Sequence, residues 1–186
     1  MPLVLLFTAC TGQSQKQEQT SSEGTQEQAE QTQSQEIRTI DIIGIDQMKY
    51  VVKEEGEMIG TANTMEASNG ETYLLLESID ASPGEQLRIR LKTVSNLPAA
   101  GMAHNWILLK MGVDPATFAQ EALAAKANDY IPESRTNDII AETGLAAAGE
   151  TVEVTFTVPQ ETGNYDYLCS FPGHFAAGMK GVLNVQ

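Results

Sequence analysis

The sequence predicts an all-β protein, a Greek-key β-sandwich with one inserted α-helix that is preceded by a disordered tether. Apolar and polar residues alternate along 87–92 and 151–158, which is the period of a strand with one buried face. Turn-forming residues such as Ser82-Pro83-Gly84 separate these short segments, as they do in sandwiches. The stretch 11–36 contains no large apolar residue, which indicates the tether.

Composition divides the chain into three segments. Residues 1–9 are largely apolar and end at Cys10, which is typical of a bacterial lipoprotein signal whose cysteine carries the lipid. No Lys or Arg precedes this run, so the alternatives are a frayed apolar N-terminus and a start site that is placed too late. Residues 10–36 comprise the lipidated cysteine and a polar tether that cannot bury enough surface to offset its ordering entropy. Residues 37–186 are expected to form the folded domain.

Further strands and one helix are expected within that domain. Asp114-Pro115 combines an N-cap with proline at the first helical position and predicts a helix over 115–127. Phe118 and Ala122 recur at helical spacing, and Leu123 widens the same apolar face. Besides the two alternating segments, the strand candidates are 37–43, 48–54, 71–78, 103–110, 164–169 and 181–185.

The charge and the residue counts exclude several classes of protein. The formal net charge is −14, so nucleic acid is not an expected partner because a phosphate backbone would be repelled. No apolar run approaches the ~20 residues of a membrane-spanning helix. The chain has two histidines, which excludes a metal site with three imidazoles. The same count of two histidines excludes a copper nitrite reductase, because such an enzyme needs additional histidines to bind a second copper ion.

Four side chains form a candidate metal site. Cys169, His174 and Met179 follow one another at intervals of five residues on one predicted loop, and His104 lies upstream. Each alone is more often a structural residue than a ligand. Together they supply two imidazoles, a thiolate and a thioether, the set that suits copper electron transfer. A His₂Cys zinc site remains an alternative, as does an adhesion or structural lipoprotein in which Cys169 is inert core.

The residues around this site resemble those of azurin-type cupredoxins. Cys169-Ser170-Phe171-Pro172-Gly173-His174, followed by Met179-Lys180-Gly181, is similar to the copper loop of that family. His104-Asn105-Trp106 resembles its upstream ligand segment. The helix insert and the segments 137–142 and 151–156 resemble the auracyanins, blue copper proteins of filamentous photosynthetic bacteria. The resemblance covers roughly residues 71–186 and implies a cupredoxin-like sandwich.

The resemblance also implies roles for individual residues. His104, Cys169 and His174 would be equatorial ligands of one copper ion that cycles between Cu(I) and Cu(II), with Met179 as the long axial ligand. The backbone N–H groups of Asn105 and Phe171 would donate to the thiolate sulfur.

Two features depart from the azurin pattern. Azurins have glycine before the first histidine ligand, whereas this chain has Ala103, so no carbonyl ligand is claimed there. Azurins usually have four positions from the second histidine to the methionine, whereas this chain has five.

The function that the resemblance implies is that of a mobile one-electron carrier rather than an enzyme. It would dock through a small apolar patch around His174, formed by Met102, Pro172 and Phe175. The expected partners are a membrane quinol-oxidising complex and a cytochrome c, and the carrier itself is expected to be a monomer. A lipid on Cys10 would hold it at the outer, periplasmic face of the cell membrane. The alternative is a copper-binding or copper-delivery lipoprotein without a role in electron transfer.

Overall fold

The computed structural model describes residues 36–186, and these residues form ten strands, one α-helix and two short 3₁₀ helices. The predicted signal segment 1–9, the lipid site Cys10 and the tether 10–36, apart from its last residue, lie outside the described residues. The strands are β1 (Arg38–Ile45), β2 (Lys49–Val52), β3 (Ile59–Glu66), β4 (Thr72–Ala81), β5 (Gln86–Val94), β6 (Ile107–Leu109), β7 (Ile139–Glu142), β8 (Thr151–Thr157), β9 (Gly163–Leu168) and β10 (Lys180–Val185).

The strands pair in the order β7-β6-β9-β10-β4-β2-β1-β5-β8, with β3 added on β4. Most neighbours are antiparallel, but β1 runs parallel to β5 and β10 runs parallel to β4. These parallel pairs join segments that are distant along the chain, as Greek-key connections do. The predicted all-β sandwich with one inserted helix is confirmed.

The core follows the alternation that the sequence shows. Leu87, Ile89 and Leu91 of β5 are buried, whereas Arg90 and Lys92 on the opposite face of the strand are exposed. A central aromatic group packs against this layer, because the Trp106 ring lies 5.5 Å from Tyr167 and 5.9 Å from Phe156 between centroids. The domain therefore has a core of apolar side chains in which the aromatic group and the buried face of β5 belong to one cluster.

Two strands were not predicted. β3 has the sequence Ile-Gly-Thr-Ala-Asn-Thr-Met-Glu, which is largely polar and half-exposed. It pairs with β4 and with no other strand in the described part of the chain, and its pairing contains register shifts. β7 has only four residues and directly follows the 3₁₀ helix Glu133–Asp138. Neither segment has the clear period-two pattern that indicates a half-buried strand.

Two predicted elements are shorter than expected. The segment 103–110 forms a strand only over Ile107–Leu109, and its first part is joined to the sheet by one isolated bridge between His104 and Ala146. The helix α1 spans Pro115–Ala122 instead of 115–127. The chain turns back after it, through the 3₁₀ helix Lys126–Asn128 and two residues with positive φ.

The helix begins where the sequence places its cap. The Asp114 carboxylate accepts a hydrogen bond from the Thr117 backbone N–H at 2.7 Å. Phe118 and Ala122 point into the core, where Phe118 packs in a cluster with Ile107, Leu109, Ile131 and Leu168. Leu123 does not extend the buried face, because 45% of its surface is exposed. No helix among residues 36–186 is long and apolar enough to cross a membrane.

We predict that Phe118→Ala lowers the free energy of unfolding by about 3–5 kcal/mol, because it leaves a cavity beneath the helix. Urea denaturation of the two proteins measures the difference. Leu123→Ala is the matched control on the same helix and should change the free energy by less than about 0.5 kcal/mol, because the side chain is exposed. Equal effects of the two substitutions would contradict this account of how the helix is held.

Candidate metal centre

Three of the four predicted site residues converge at one end of the sandwich. The His174 Nδ1 atom lies 3.2 Å from His104 Nδ1 and 3.4 Å from Cys169 Sγ. The donor atoms of all three residues lie within 4.8 Å of one another. All three side chains are buried, and His174 is the most exposed of them at 2%. The structure therefore gathers two imidazoles and one thiol around a common point away from water.

His104 is fixed by its backbone and by a close contact with β1. Its N–H and C=O both pair with Ala146, at 3.0 and 2.8 Å. The imidazole packs directly over Gly44, where an added Cβ would lie 2.6 Å from Cδ2 of the ring. Since real side chains do not approach this closely, glycine at position 44 is a requirement of the histidine's position.

Cys169 and His174 are placed by the connection between β9 and β10. Leu168 and Lys180 face each other as the last pair of the two strands, so residues 169–179 form the closing loop. The Cys169 N–H donates to the Met179 carbonyl at 3.1 Å, which draws the two ends of this loop together. The His174 N–H donates to the Phe171 carbonyl at 3.1 Å, which folds the imidazole back toward the sulfur.

Asn105 ties the two ligand-bearing segments to each other. Its Oδ1 accepts from the Ser170 backbone N–H at 2.9 Å, and its Nδ2 donates to Ser170 Oγ at 2.8 Å and to the Asp129 carbonyl at 3.0 Å. The buried Tyr50 hydroxyl donates to the Asn105 carbonyl. Asn105, the residue after His104, is therefore hydrogen-bonded to Ser170, the residue after Cys169. These bonds restrict the distance between His104 and Cys169.

Burial determines the charge states of the donors. It lowers the pKa of His104 to about 3, with a further lowering from His174 and a small opposing effect of Asp46. Burial also lowers the pKa of His174 to about 4. Both imidazoles are therefore neutral at pH 7 and have lone pairs available for a metal ion.

The cysteine behaves in the opposite way. Burial raises the pKa of the Cys169 thiol to about 12, against a lowering by backbone hydrogen bonds from Asn105 and Phe171. The thiol therefore keeps its proton at pH 7 until a cation replaces it, so metal binding releases that proton.

The donor set fits a copper ion. Nitrogen and sulfur donors at about 2.0–2.3 Å from a central ion are separated by roughly 3.5–4 Å, close to the separations found here. Thiolate is a soft ligand that holds Cu(I), and imidazole suits both oxidation states of copper. Met179, whose thioether is a further soft donor, is fully buried in the same core cluster as Cys169.

The predicted docking residues divide into two groups. Pro172 is exposed and Phe175 is half-buried, with the Lys180 ammonium 5.1 Å from the Phe175 ring centroid. Met102, in contrast, is only 4% exposed. Its side chain therefore does not lie on the surface, contrary to the prediction. The loop before it folds back, because the Met102 N–H donates to the Pro98 carbonyl at 3.0 Å.

Several supporting residues were not singled out from the sequence. Gly44 lies under the His104 ring, Tyr50 binds the Asn105 carbonyl, and Thr143 Oγ1 accepts from the Trp106 N–H at 2.9 Å. They come from segments that the motifs do not include. Gly44 interrupts the apolar run Ile42-Ile43-Gly44-Ile45, and such a glycine often marks the close approach of another group.

The fold and this geometry agree with the comparisons to known proteins. Residues 47–186 match the family of copper binding proteins that is described as the plastocyanin/azurin family. The chain is 44% identical to auracyanin-A and 36% identical to auracyanin-B of Chloroflexus aurantiacus, over 110 and 125 residues, or 58% and 67% of its own length. It spans 64% and 52% of the lengths of these two relatives.

An azurin of Achromobacter denitrificans is 35% identical over 125 residues, which cover 66% of this chain and 83% of the azurin. Among solved structures, auracyanin A, a "blue" copper protein of Chloroflexus aurantiacus, superposes with a TM-score of 0.60 at 32% identity. That alignment covers 81% of this chain and 100% of auracyanin A. The chain therefore belongs to the plastocyanin/azurin family of copper-binding proteins, whose single copper ion is the cofactor that this donor set fits.

Proposed function

We propose that this protein is a mobile one-electron carrier with a mononuclear type 1 copper site. His104, Cys169, His174 and Met179 would hold the ion. The observation that carries the proposal is the convergence of two buried imidazoles and one buried thiol within 4.8 Å. When bound, copper supplies the Cu(I)/Cu(II) couple that accepts and releases the electron.

The surrounding residues favour copper over zinc and a carrier over a delivery protein. A thioether adds little to a zinc site, whereas it suits copper. Delivery of an ion to another protein requires that the ligands be reachable, but the three donor residues are at most 2% exposed. The clamp from Asn105 to Ser170 also resists the rearrangement that release of an ion would need.

Rigidity of the ligand segments is the property that electron transfer needs from this chain. The bridge to Ala146 holds His104, the loop hydrogen bonds hold His174, and Asn105 links the two regions. Donors that keep one arrangement in both oxidation states lower the energy of reorganisation. Backbone N–H groups that point at the sulfur stabilise the thiolate and so tune the reduction potential.

The electron enters and leaves near His174, which lies beneath the exposed end of the loop. Pro172, Ala176 and Ala177 are exposed there and Phe175 is half-buried, which gives a small and mostly uncharged contact surface. Such surfaces suit brief redox encounters because few ion pairs must be broken on release. Met102 is not part of this surface because it is buried.

The proposed partners are redox proteins. The part of the chain from residue 37 onward carries 20 acidic and 10 basic side chains, which favours partners with a basic surface. By analogy with the auracyanins of photosynthetic bacteria, the donor is a membrane quinol-oxidising complex and the acceptor is a cytochrome c. The protein makes and breaks no covalent bonds of a substrate and functions as a monomer.

We also propose that Cys10 carries a lipid that anchors the protein to the outer, periplasmic face of the cell membrane. The support is the sequence alone: an apolar segment, a cysteine and a long polar stretch follow one another. A polar stretch of 26 residues that behaves as a flexible coil has a reach of about 28 Å, which would keep the domain near membrane complexes.

Addition of Cu(II) to the purified protein should produce an intense blue or green colour, and Cys169→Ser should abolish it because the charge transfer starts from the thiolate. Visible absorption measures the colour, and circular dichroism should show an unchanged fold, since the core does not depend on the metal. Cys10→Ser is the matched control and should leave the colour intact. A coloured Cys169→Ser protein, or a wild-type protein that takes zinc but refuses copper, would end the copper assignment.

Met179→Leu should keep copper and raise the reduction potential, because a weak donor to Cu(II) is lost. Each tenfold loss of Cu(II) affinity relative to Cu(I) raises the potential by about 59 mV, which a redox titration detects. Met111→Leu replaces an exposed methionine and should leave the potential unchanged. If both variants keep the wild-type potential, Met179 is not a ligand.

Cys10→Ala should release the protein from the membrane fraction of cells that process lipoproteins, because the lipid has no attachment atom. Fractionation followed by immunoblotting measures the distribution, and Cys169→Ala controls for the loss of a cysteine. Retention of the Cys10→Ala protein in the membrane fraction would refute the lipid anchor and leave the copper proposal unaffected.

A further inference from the structure

The loop between His174 and Met179 is wound into a tight turn. The Ala177 N–H donates to the Gly173 carbonyl at 2.9 Å, the Gly178 N–H to the Phe175 carbonyl at 2.8 Å, and the Met179 N–H to the His174 carbonyl at 2.9 Å. Gly178 has a φ of +89°, a conformation that glycine adopts readily. The position of the Met179 side chain therefore depends on how the end of this turn is held.

Lys49 holds that end from the other side of the fold. It is the first residue of β2 and lies opposite Ile45 of β1, so its backbone belongs to a paired strand. Its ammonium group donates a hydrogen bond to the Ala177 carbonyl, across 128 positions of sequence. The ammonium group also lies close to Gly178, where an added Cβ would be 2.9 Å from Lys49 Nζ.

Three other charged side chains lie in the same surface groove as the Lys49 ammonium group. Glu77, Asp166 and Lys180 line the same surface groove, which is formed by residues of β2, β4, β9 and β10 and by Gly178. Without Lys49 these groups sum to one negative charge, and with it they are balanced. Gly178 and Lys180, the neighbours of Met179 in the chain, line this groove, so Lys49 determines the charge next to the Met179 segment.

We propose that Lys49 is a positioning residue for Met179 and a determinant of the reduction potential of the site. The inference rests on the proposed copper function. Through Ala177 and Gly178 the ammonium fixes the segment that ends in Met179 and so sets where the thioether lies. Its positive charge favours the reduced site, because the reduced site is one unit less positive than the oxidised one.

Three substitutions separate the two effects. Lys49→Gln keeps a hydrogen-bond donor but removes the charge, Lys49→Leu removes both, and Lys49→Arg keeps both. Lys53→Gln and Lys53→Leu are matched controls, because Lys53 directly follows the same strand and is exposed. All variants are made in the full chain.

In the copper-loaded protein, we expect Lys49→Gln to lower the ratio of Cu(I) to Cu(II) affinity by up to about tenfold, which corresponds to a potential lower by about 59 mV. Its visible spectrum should stay that of the wild type. Lys49→Leu should in addition change the charge-transfer spectrum, and Lys49→Arg should restore both properties. The Lys53 variants should change neither.

A second measurement does not need copper. In the metal-free protein, hydrogen exchange at the Gly178 and Met179 amides should be about tenfold faster in Lys49→Leu than in the wild type, because a charged hydrogen bond is lost. Lys53→Leu should exchange at the wild-type rate. If Lys49→Leu does not fold, the same comparison is made with Lys49→Ala, which also removes the donor.

The outcomes are distinguishable. A wild-type protein that forms no coloured copper site defeats the proposed function, while the exchange rates still test the positioning role of Lys49. Equal exchange, spectra and potentials in the Lys49 and Lys53 variants would overturn the inference. A lower potential in Lys49→Gln with unchanged exchange and spectrum in Lys49→Leu would overturn the positioning role.

Discussion

The burial of one thiol together with two imidazoles is the constraint on which the rest of the site depends. Removal from water raises the pKa of Cys169 to about 12 and lowers those of His104 and His174 to about 3 and 4. All three groups are thereby kept neutral in the metal-free protein, so they can lie close together in an apolar core without repulsion. A cation that enters such a site meets donors that are already arranged, and it displaces a single proton.

The amino-acid sequence predicts those elements of the fold that follow from a local sequence pattern, such as alternating hydropathy or a helix N-cap. Alternation along 87–92 and 151–158 identifies β5 and β8, and the cap at Asp114 identifies the start of the helix. The edge strand β3 escapes prediction because neither face of it is consistently buried, so its pairing partner decides its conformation. The helix ends before its apolar pattern does, because backbone hydrogen bonds in the following turn, such as that from Tyr130 to Ala125, replace further helical ones.

The same distinction applies to the site. The proposed ligand residues are recognisable because their types and spacing are chemically unusual. Gly44, Tyr50 and Lys49, in contrast, are ordinary residues that contact the site region over long sequence distances. Burial of Met102 likewise results from a local reversal at Pro98 that hydropathy does not reveal. The inserted helix also reaches the site indirectly, since the chain that follows it offers the Asp129 carbonyl to Asn105.

The direction of the first strand has a consequence for orientation. β1 enters the sandwich at Arg38 and reaches the His104 ring only at Gly44, six residues later. At about 3.3 Å per residue, these two points are roughly 20 Å apart. A change at the Arg38 end of β1 can therefore be accommodated without displacing the His104 ring, whereas any side chain added at Gly44 meets that ring directly.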